Sequence, residues 1–442
     1  MTVRISPQPI SGAVYMDPIS RFWKSLIDAK EVHRQLDWQE GGITGTFLHL
    51  PDGVELLGQN GLGSILYVRE CYRALYTMIT QQTMQLPGAM EAPRWILTGN
   101  PGIGKSLFLA YLLWRARCEG ATVVYEPSTV YGYMSAYMEK RYLMRPDGTC
   151  LSGQAGLCLY EDELDQPSTW YIADAHAPTR QSARTLFVSA PLRSSYGGFE
   201  KLPGTFKCFM PVWTWEEVEI CWRFVFRNDE RVPQSRVREL FSYWGGIPRM
   251  VLEKPLQWSD DVIMQMLESS SRTCTLAMCE RSIGEIGGQD ELPYNILHII
   301  VGEDYRHSHM AFASARVVEM MLNRFLIFDR TETFEFINEG CTICPQSTLR
   351  FELLQQLAQD QIHKEVSIIA RDLKTGRDFE VKDIGIDSSH AKKTTFTYDQ
   401  NNLSQRSYLS LAAIAQPGES SIISDVHDYV AILVIDRKAS QM

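Results

Sequence analysis

A chain of 442 residues exceeds one ordinary hydrophobic core, and its length implies roughly two or three domains. With 45% hydrophobic and 22% charged residues it falls among globular proteins, which excludes a disordered or fibrous chain. A formal charge of -10 excludes a surface that is basic throughout, so nucleic-acid binding would need a local basic groove.

The opening stretch, MTVRISPQPISGAVYMDPISRFWKSL, carries prolines and acids where a secretion signal needs an unbroken apolar run. The longest apolar runs, LFLAYLLW and YVAILVI, fall well short of the roughly 20 residues of a spanning helix. No classical signal and no membrane partner are therefore expected. The 10 cysteines are scattered without a compact framework, the pattern of reduced thiols in an intracellular compartment. Cys341 and Cys344 form a lone CxxC that Cys274 and Cys279 are spaced wrongly to complete as a zinc ribbon, so buried free thiols are expected.

In chain order, residues 1 to about 60 read as an irregular leader rich in Gly, Pro and Asp, with Trp23 and Trp38 as packing anchors. From Ile65 to Gln82 apolar residues recur at three- and four-residue steps, which predicts a helix, and LPGAMEAPR then predicts a linker. Between Trp95 and Pro191, the stretches WILT, ATVVYEP, TWYIAD and TLFVSAP are strand candidates separated by helical patterns. That alternation predicts βαβ units and a parallel sheet. At MPVWTWEEVEICWRF, Thr214 and Glu217 form a capping box before an amphipathic run. Helical patterns continue through RVRELFSYW, stop at GGIP and resume at SDDVIMQMLESS, which describes a helical lid. Helices near FASARVVEMMLNRF and STLRFELLQQLAQDQ precede the strand candidates KEVSIIARDL, RDFEVKDI and DYVAILVID.

Chemistry concentrates at GNPGIGKS, Gly99 to Ser106, which satisfies G-x-x-x-x-G-K-[ST] in full. Gly99, Gly102 and Gly104, with Asn100, Pro101 and Ile103 between them, would turn backbone N–H groups toward phosphate oxygens, and the next helix adds its positive end. Lys105 would neutralise the β and γ phosphates of ATP, and Ser106 would ligate Mg²⁺. The loop follows a strand candidate and opens a helix, which is the setting the motif requires.

The metal also needs a carboxylate at the end of a neighbouring strand. Asp174 ends TWYIAD and is favoured over Glu161 and Asp162, which end a weaker strand before a proline-bearing turn. Ala175 follows Asp174 where a glutamate base usually stands, so hydrolysis is expected to be slow or completed by a group from elsewhere. Ser189 ends the next strand and is either a γ-phosphate sensor or a strand-end cap; Arg193 nearby is as readily a solvated arginine. In GGIPRM, Arg249 begins a lid helix from which a guanidinium could reach phosphate, or it is an exposed arginine at a tight turn.

LYVRECYRALY (Leu66 to Tyr76), LTGNPGIGKSLFLAYLLWR, WYIADA, LFVSAPLR, FMPVWTWEEVEICW and YWGGIPRMVL occur in an order and spacing that resembles Crinkler-type proteins of oomycetes and fungi. These share an ATPase module with retrotransposon hot spot proteins of trypanosomes. The resemblance covers residues 60 to 330. It implies a P-loop NTPase of the AAA+/STAND kind attached to a variable C-terminal module, with delivery into a host cell, action in its nucleus and cell death. It carries Lys105 and Ser106 over as phosphate and metal residues, Asp174 as the metal-side acid and Arg249 as the lid arginine. Secreted members carry a header with a Leu-Phe-Leu-Ala-Lys-like motif; here LFLA occurs only at Leu107 to Ala110, inside the loop helix. At the C-terminus, Glu380 with Lys382 and Asp436 with Lys438 give the acid–lysine spacing of a (D/E)xK nuclease.

The expected architecture is α/β: leader and helix over 1–85, a P-loop NTPase core over 86–212, a helical lid over 213–290 and a mixed α and β region over 291–442. The leading functional reading is an ATP- and Mg²⁺-dependent switch or slow ATPase. A nucleic-acid enzyme with a C-terminal nuclease and a non-hydrolysing scaffold stay open, as do nucleic acid, a host nuclear protein or a second copy as partners.

Overall fold

The computed structural model describes residues 17–35, 42, 44–84, 93–128, 140–154, 159–284, 292–343, 349, 350, 352, 353 and 356, together with the strands of a C-terminal sheet. The chain divides into two units: residues 1–264, 287–294 and 299–308 form the first, and 265–286, 295–298 and 309–442 the second.

The first unit is organised by a seven-stranded sheet of order β10-β4-β9-β8-β5-β6-β7. Its strands are β4 (Arg94–Thr98), β5 (Val123–Glu126), β6 (Lys140–Met144), β7 (Cys150–Gln154), β8 (Trp170–Asp174), β9 (Arg184–Val188) and β10 (Thr205–Phe209). The first five in that order run parallel, and the hairpin of β6 and β7 is antiparallel at one edge. Every position of β4, β5 and β8 is buried, as in parallel strands covered on both faces. Helix α3 (Lys105–Cys118) follows β4, yet the next strand, β5, lies beyond β9 and β8. Residues Phe108 to Leu113 of α3 have no exposed surface, so the helix is apolar around its whole circumference because it is enclosed.

Ahead of this sheet stand α1 (Pro18–Ser25), β1 (Lys30–Gln35), β2 (Thr44–His49), β3 (Ile65–Tyr67) and α2 (Glu70–Met84). Two expectations are corrected here. Residues 1 to 60 are not all irregular: α1 starts with an Asp17 cap and Pro18, and buries Phe22 and Trp23. The helix from Ile65 starts later, because Ile65, Leu66 and Tyr67 instead pair with His49, Leu48 and Phe47 in an antiparallel sheet with β1. Ile65 is β-branched and Tyr67 and Phe47 are aromatic, types that fit a pleated surface. Trp38 lies outside the described residues.

Between β7 and β8 lies the short α4 (Glu161–Leu164), so Glu161 and Asp162 open a helix, while α5 (Arg193–Glu200) links β9 to β10. The helical region that follows has α6 (Trp215–Cys221), opened by the Thr214–Glu217 capping box, then α7 (Gln234–Trp244) and a wide turn of helix from Arg249 to Glu253.

The chain continues through α8 (Asp260–Thr273), α9 (Leu276–Gly284) and a two-stranded sheet of β11 (Leu297–Val301) and β12 (Ser308–Phe312). The second unit also holds α10 (Ala315–Phe328) and α11 (Arg330–Ile343). Helix α10 buries Val317, Val318, Met321, Leu322 and Phe325, one face of a 3.6-residue period. The C-terminal strands β13 (Ile368–Asp372), β14 (Asp378–Val381), β15 (Thr395–Thr397), β16 (Ser410–Ala412) and β17 (Tyr429–Ile432) make an antiparallel sheet of order β14-β13-β17-β16-β15. Glu380 lies on β14, whereas Lys382, Asp436 and Lys438 are outside the described residues. The thiols of Cys71, Cys208, Cys221, Cys274 and Cys279 are free and buried. No described helix is long and apolar enough to cross a membrane.

Candidate functional site

The site is built where β4, β9 and β8 end. Gly99, Gly102 and Gly104 carry φ of 148°, 82° and 95°, so the loop after β4 turns through conformations that other residues rarely adopt. Gly104 then opens α3, whose first N–H groups have no partner inside the helix and face the loop. Lys105 folds back beneath this loop. Its ammonium donates to the carbonyls of Gly99 at 2.7 Å and Asn100 at 2.8 Å. Burial pushes the Lys105 pKa down to about 7; the Arg249 charge acts in the same direction, against the opposing pull of Asp174.

Ser106 points to the neighbouring strands, its Oγ donating to Asp174 Oδ1 at 3.2 Å. Asp174 is 2% exposed, and burial holds its carboxyl above the usual range although Ser106, Lys105 and His176 all favour the ionised form. Its Oδ2 makes no direct hydrogen bond. The hydroxyls of Ser189 and Thr98, at the ends of β9 and β4, are likewise buried without a partner. Buried polar atoms are normally satisfied, so three such atoms at the ends of three adjacent strands leave hydrogen-bonding capacity there for polar atoms from outside the chain. Strand β9 lies between β4 and β8, which sets Ser189 beside Asp174, whose register partner is Val188.

Arg249 comes to the loop from the other side. Its N–H reaches the Gly102 carbonyl at 3.3 Å, and a Cβ on Gly102 would stand 3.0 Å from Arg249 Cβ. Its Nε lies 3.9 Å from Glu253 in a half-exposed pair. The GGIP turn is fixed against Trp213: the Trp213 N–H donates to the Gly246 carbonyl at 2.9 Å, and a Cβ on Gly246 would fall 1.9 Å from the Trp213 carbonyl oxygen. Only glycine tolerates that approach.

Three side chains brace this arrangement. The Trp213 indole donates to the Ile103 carbonyl at 2.8 Å, and the Tyr72 hydroxyl donates to the Gly104 carbonyl at 3.2 Å. Arg69, 1% exposed, makes a two-pronged bond to Glu217 at 2.8 and 2.7 Å, donates to the carbonyls of Pro211 and Val212, and lies 5.0 Å over the Trp213 ring. Arg69 thereby joins the residue before α2 to the capping box of α6.

Beyond Asp174, Ala175 takes φ of 68°, an uncommon conformation for a residue with a Cβ. The turn redirects the chain. In the β5–β8 register Tyr125 faces Ile172 and Glu126 faces Ala173, so Asp174 shares a face with Tyr125 while Glu126 looks to the other. After Ala175, His176 reaches that other face, with Nε2 3.1 Å from Glu126 Oε2. Glu126, 4% exposed, also accepts from Arg141 Nε at 2.6 Å and the Tyr171 hydroxyl at 3.1 Å. Burial opposes its ionisation, but His176 and Arg141 outweigh it and hold the carboxyl below its usual range.

No protein-family model matches the chain. Two curated proteins of Phytophthora infestans do match it. Crinkler effector protein 15 is 23% identical over 327 residues, which is 71% of this chain and 48% of that protein. Crinkler effector protein 16 is 24% identical over 279 residues, 60% of this chain and 41% of that protein. The chain is a distant relative of Crinkler effectors. It spans less than half the length of each, so the likeness supports a place in the Crinkler family and leaves whole-protein activity to be argued from the site.

Of the residues singled out in the sequence, the structure brings Lys105, Ser106, Asp174 and Arg249 around one loop, with Ser189 alongside. Glu161 is elsewhere, bonded to Gln181 and 3.8 Å from Arg141. Asn100 contributes its carbonyl to Lys105, while its buried side chain donates to the Tyr294 carbonyl and accepts from the Ile299 N–H. Ile103 is fully buried and Pro101 exposed. Sequence reasoning missed the chemistry of Arg69, Tyr72 and Trp213, although their stretches carried the family likeness. It missed Glu126 too, a strand-end carboxylate in ATVVYEP with the same signature that singled out Asp174.

Proposed function

We propose that the chain binds ATP with Mg²⁺ at the Gly99–Ser106 loop and works as a nucleotide-dependent switch with slow hydrolysis, in a P-loop NTPase fold of the AAA+/STAND kind. The observation that carries this reading is the convergence of Lys105 and the Ser106–Asp174 bond on the ends of parallel strands, beside buried polar atoms without partners. Lysine and helix N–H groups suit a triphosphate. Ser106 Oγ and the Asp174 carboxylate are hard oxygen donors that fit Mg²⁺ and its bound waters. Ser189 would sense the γ phosphate and Arg249 would report it to the helical region, whose GGIP turn and Trp213 both touch the loop. ATP and ADP would favour different placements of Arg249, and the difference would bias what the chain offers a partner.

The two matched proteins are effectors by name, and we extend to this chain a host-directed role, with a nuclear protein or nucleic acid as target. The parallel strand order, with β9 between β4 and β8, supports an ATPase module of the kind Crinkler and retrotransposon hot spot proteins share.

The deciding experiment is titration of the full chain with a fluorescent ATP analogue and Mg²⁺, beside Lys105→Ala. Binding that disappears in the variant supports the reading. Equal binding by both chains refutes the assignment of the loop.

A further inference from the structure

The side chain of Asn100 is fully buried, and it bonds backbone from far along the chain. Its amide donates to the Tyr294 carbonyl at 3.0 Å, and its Oδ1 accepts from the Ile299 N–H at 2.7 Å. The Asn100 carbonyl is meanwhile held by the Lys105 ammonium at 2.8 Å. Tyr294, 7% exposed, makes a second contact of its own: its hydroxyl donates to the Pro191 carbonyl at 2.7 Å. Pro191 stands two residues beyond Ser189, whose N–H is bonded to the Leu97 carbonyl of β4 at 3.0 Å. One tyrosine therefore ties the Gly99–Ser106 loop to the turn after β9. Both bonds are buried, and a buried carbonyl that loses its donor gains no water in exchange. The loop and the turn shift against one another only if Tyr294 moves with them.

The residues that follow give this tie a direction. Tyr294 closes the stretch 287–294 of the first unit, and Asn295 opens the stretch 295–298 of the second. Within the second unit, the Asn295 amide donates to the Ser270 hydroxyl on α8 at 2.9 Å, and the Ile296 carbonyl accepts from the Ala313 N–H at 2.9 Å. The residue that spans the loop and the turn is thus joined by one peptide bond to a residue anchored on α8.

We propose that Tyr294 is the positioning residue through which the γ phosphate of ATP is read and passed, by way of Asn295, to α8. The inference rests on the ATP reading above and names the path by which that switch reaches the second unit. ATP and ADP share the β phosphate that the loop cradles and differ at the γ phosphate, the group that Ser189 would bond. A γ phosphate bonded by Ser189 draws the turn after β9 toward the loop, and the Pro191 carbonyl moves with it. Tyr294 follows, because its hydroxyl is bonded to that carbonyl and its own carbonyl to Asn100. ADP makes no such demand. A contact made by one nucleotide and not by the other is what a shift between two states requires.

The test uses the full chain with Mg²⁺ at saturating nucleotide. It measures ATP and ADP affinity and amide hydrogen exchange over residues 265–273 of α8, for the unaltered protein, Lys105→Ala, Tyr294→Phe and Asn295→Ala. In the unaltered protein, ATP in place of ADP should alter α8 exchange about fivefold, the lower end of measured couplings between sites. Tyr294→Phe removes one oxygen and keeps the backbone bond to Asn100. It should narrow the preference for ATP over ADP about fivefold, the worth of one hydrogen bond, and abolish the α8 response. Asn295→Ala should keep the nucleotide preference of the unaltered chain and lose the α8 response, so this variant and the unaltered chain decide the matter should Tyr294→Phe fail to fold. Equal α8 exchange with ATP and with ADP in the unaltered chain overturns the inference and leaves ATP binding intact. So does a Tyr294→Phe chain that loses affinity for both nucleotides alike and keeps the α8 response, the behaviour of a structural staple. If the unaltered chain binds ATP no better than Lys105→Ala, the ATP reading itself fails, and the inference with it.

Discussion

Under the proposed reading, Lys105 would make nucleotide binding a proton-linked event. In the free chain its ammonium is held under the loop by two carbonyls, and burial with the Arg249 charge brings its pKa down to about 7 from 10.5. Triphosphate oxygens favour the charged form, so the bound lysine must regain its proton. At pH 8, a pKa of 7 leaves about one free lysine in eleven protonated, and binding should take up about 0.9 proton. Between pH 7.5 and 9 the phosphates are already ionised, and affinity should weaken nearly tenfold per unit, which is about 1.4 kcal/mol. Calorimetry in two buffers of different ionisation enthalpy measures the uptake directly, and Lys105→Arg, charged at every pH used, should abolish the dependence. Flat affinity from pH 7.5 to 9 without proton uptake would refute the reasoning. For the free fold the sign is separate: between 7 and 10.5 the unfolded chain binds the proton the folded one releases, so this lysine's contribution to stability rises with pH.

Further outcomes follow from the braces. Arg69→Ala leaves Glu217 without its partner and two carbonyls without a donor, and should lower stability by about 3 kcal/mol in urea unfolding, the scale for breaking a buried pair. Trp213→Phe removes the donor to the Ile103 carbonyl and should cost about 1–3 kcal/mol, with weaker ATP binding as a second readout. Gly246→Ala places a carbon 1.9 Å from the Trp213 oxygen, and loss of soluble, cooperatively unfolding protein is expected. In the second unit, burial raises the Glu352 carboxyl to about 7 against the pull of the Phe312 N–H. Its contribution is present below 4.5 and lost as pH rises through 7, opposite in sign to Lys105, so Glu352→Gln should flatten the pH profile of stability across that window.

What the sequence made legible was whatever local chemistry fixes. The four strand candidates from Trp95 to Pro191 lie in four parallel strands, because apolar runs bounded by turn residues keep their meaning in a buried sheet. Thr214 and Glu217 announced their capping box, which needs only residues three apart. Legibility failed where the partner was distant. Ile65 to Tyr67 follow a helical period, and only the facing strand Thr44–His49 turns them into β3. Nothing in the local pattern singles out Arg69, whose partner Glu217 lies far along the chain. Glu126 and His176 are fifty residues apart and meet because of one register and one left-handed alanine, neither of which a pattern in the chain encodes.

The Arg69–Glu217 bond also governs how this protein can be divided. The loop stands on Tyr72 and Trp213, and Arg69 ties the segments that carry them, so the Gly99–Ser106 loop belongs to no stretch that begins after α2. A fragment starting at residue 86 would keep the whole motif, yet would leave Glu217 facing an empty slot and the Gly104 carbonyl without its tyrosine. Any recombination event that moved the motif alone to another chain would carry the letters without their supports. A segment that keeps every one of these braces has to begin upstream of Arg69.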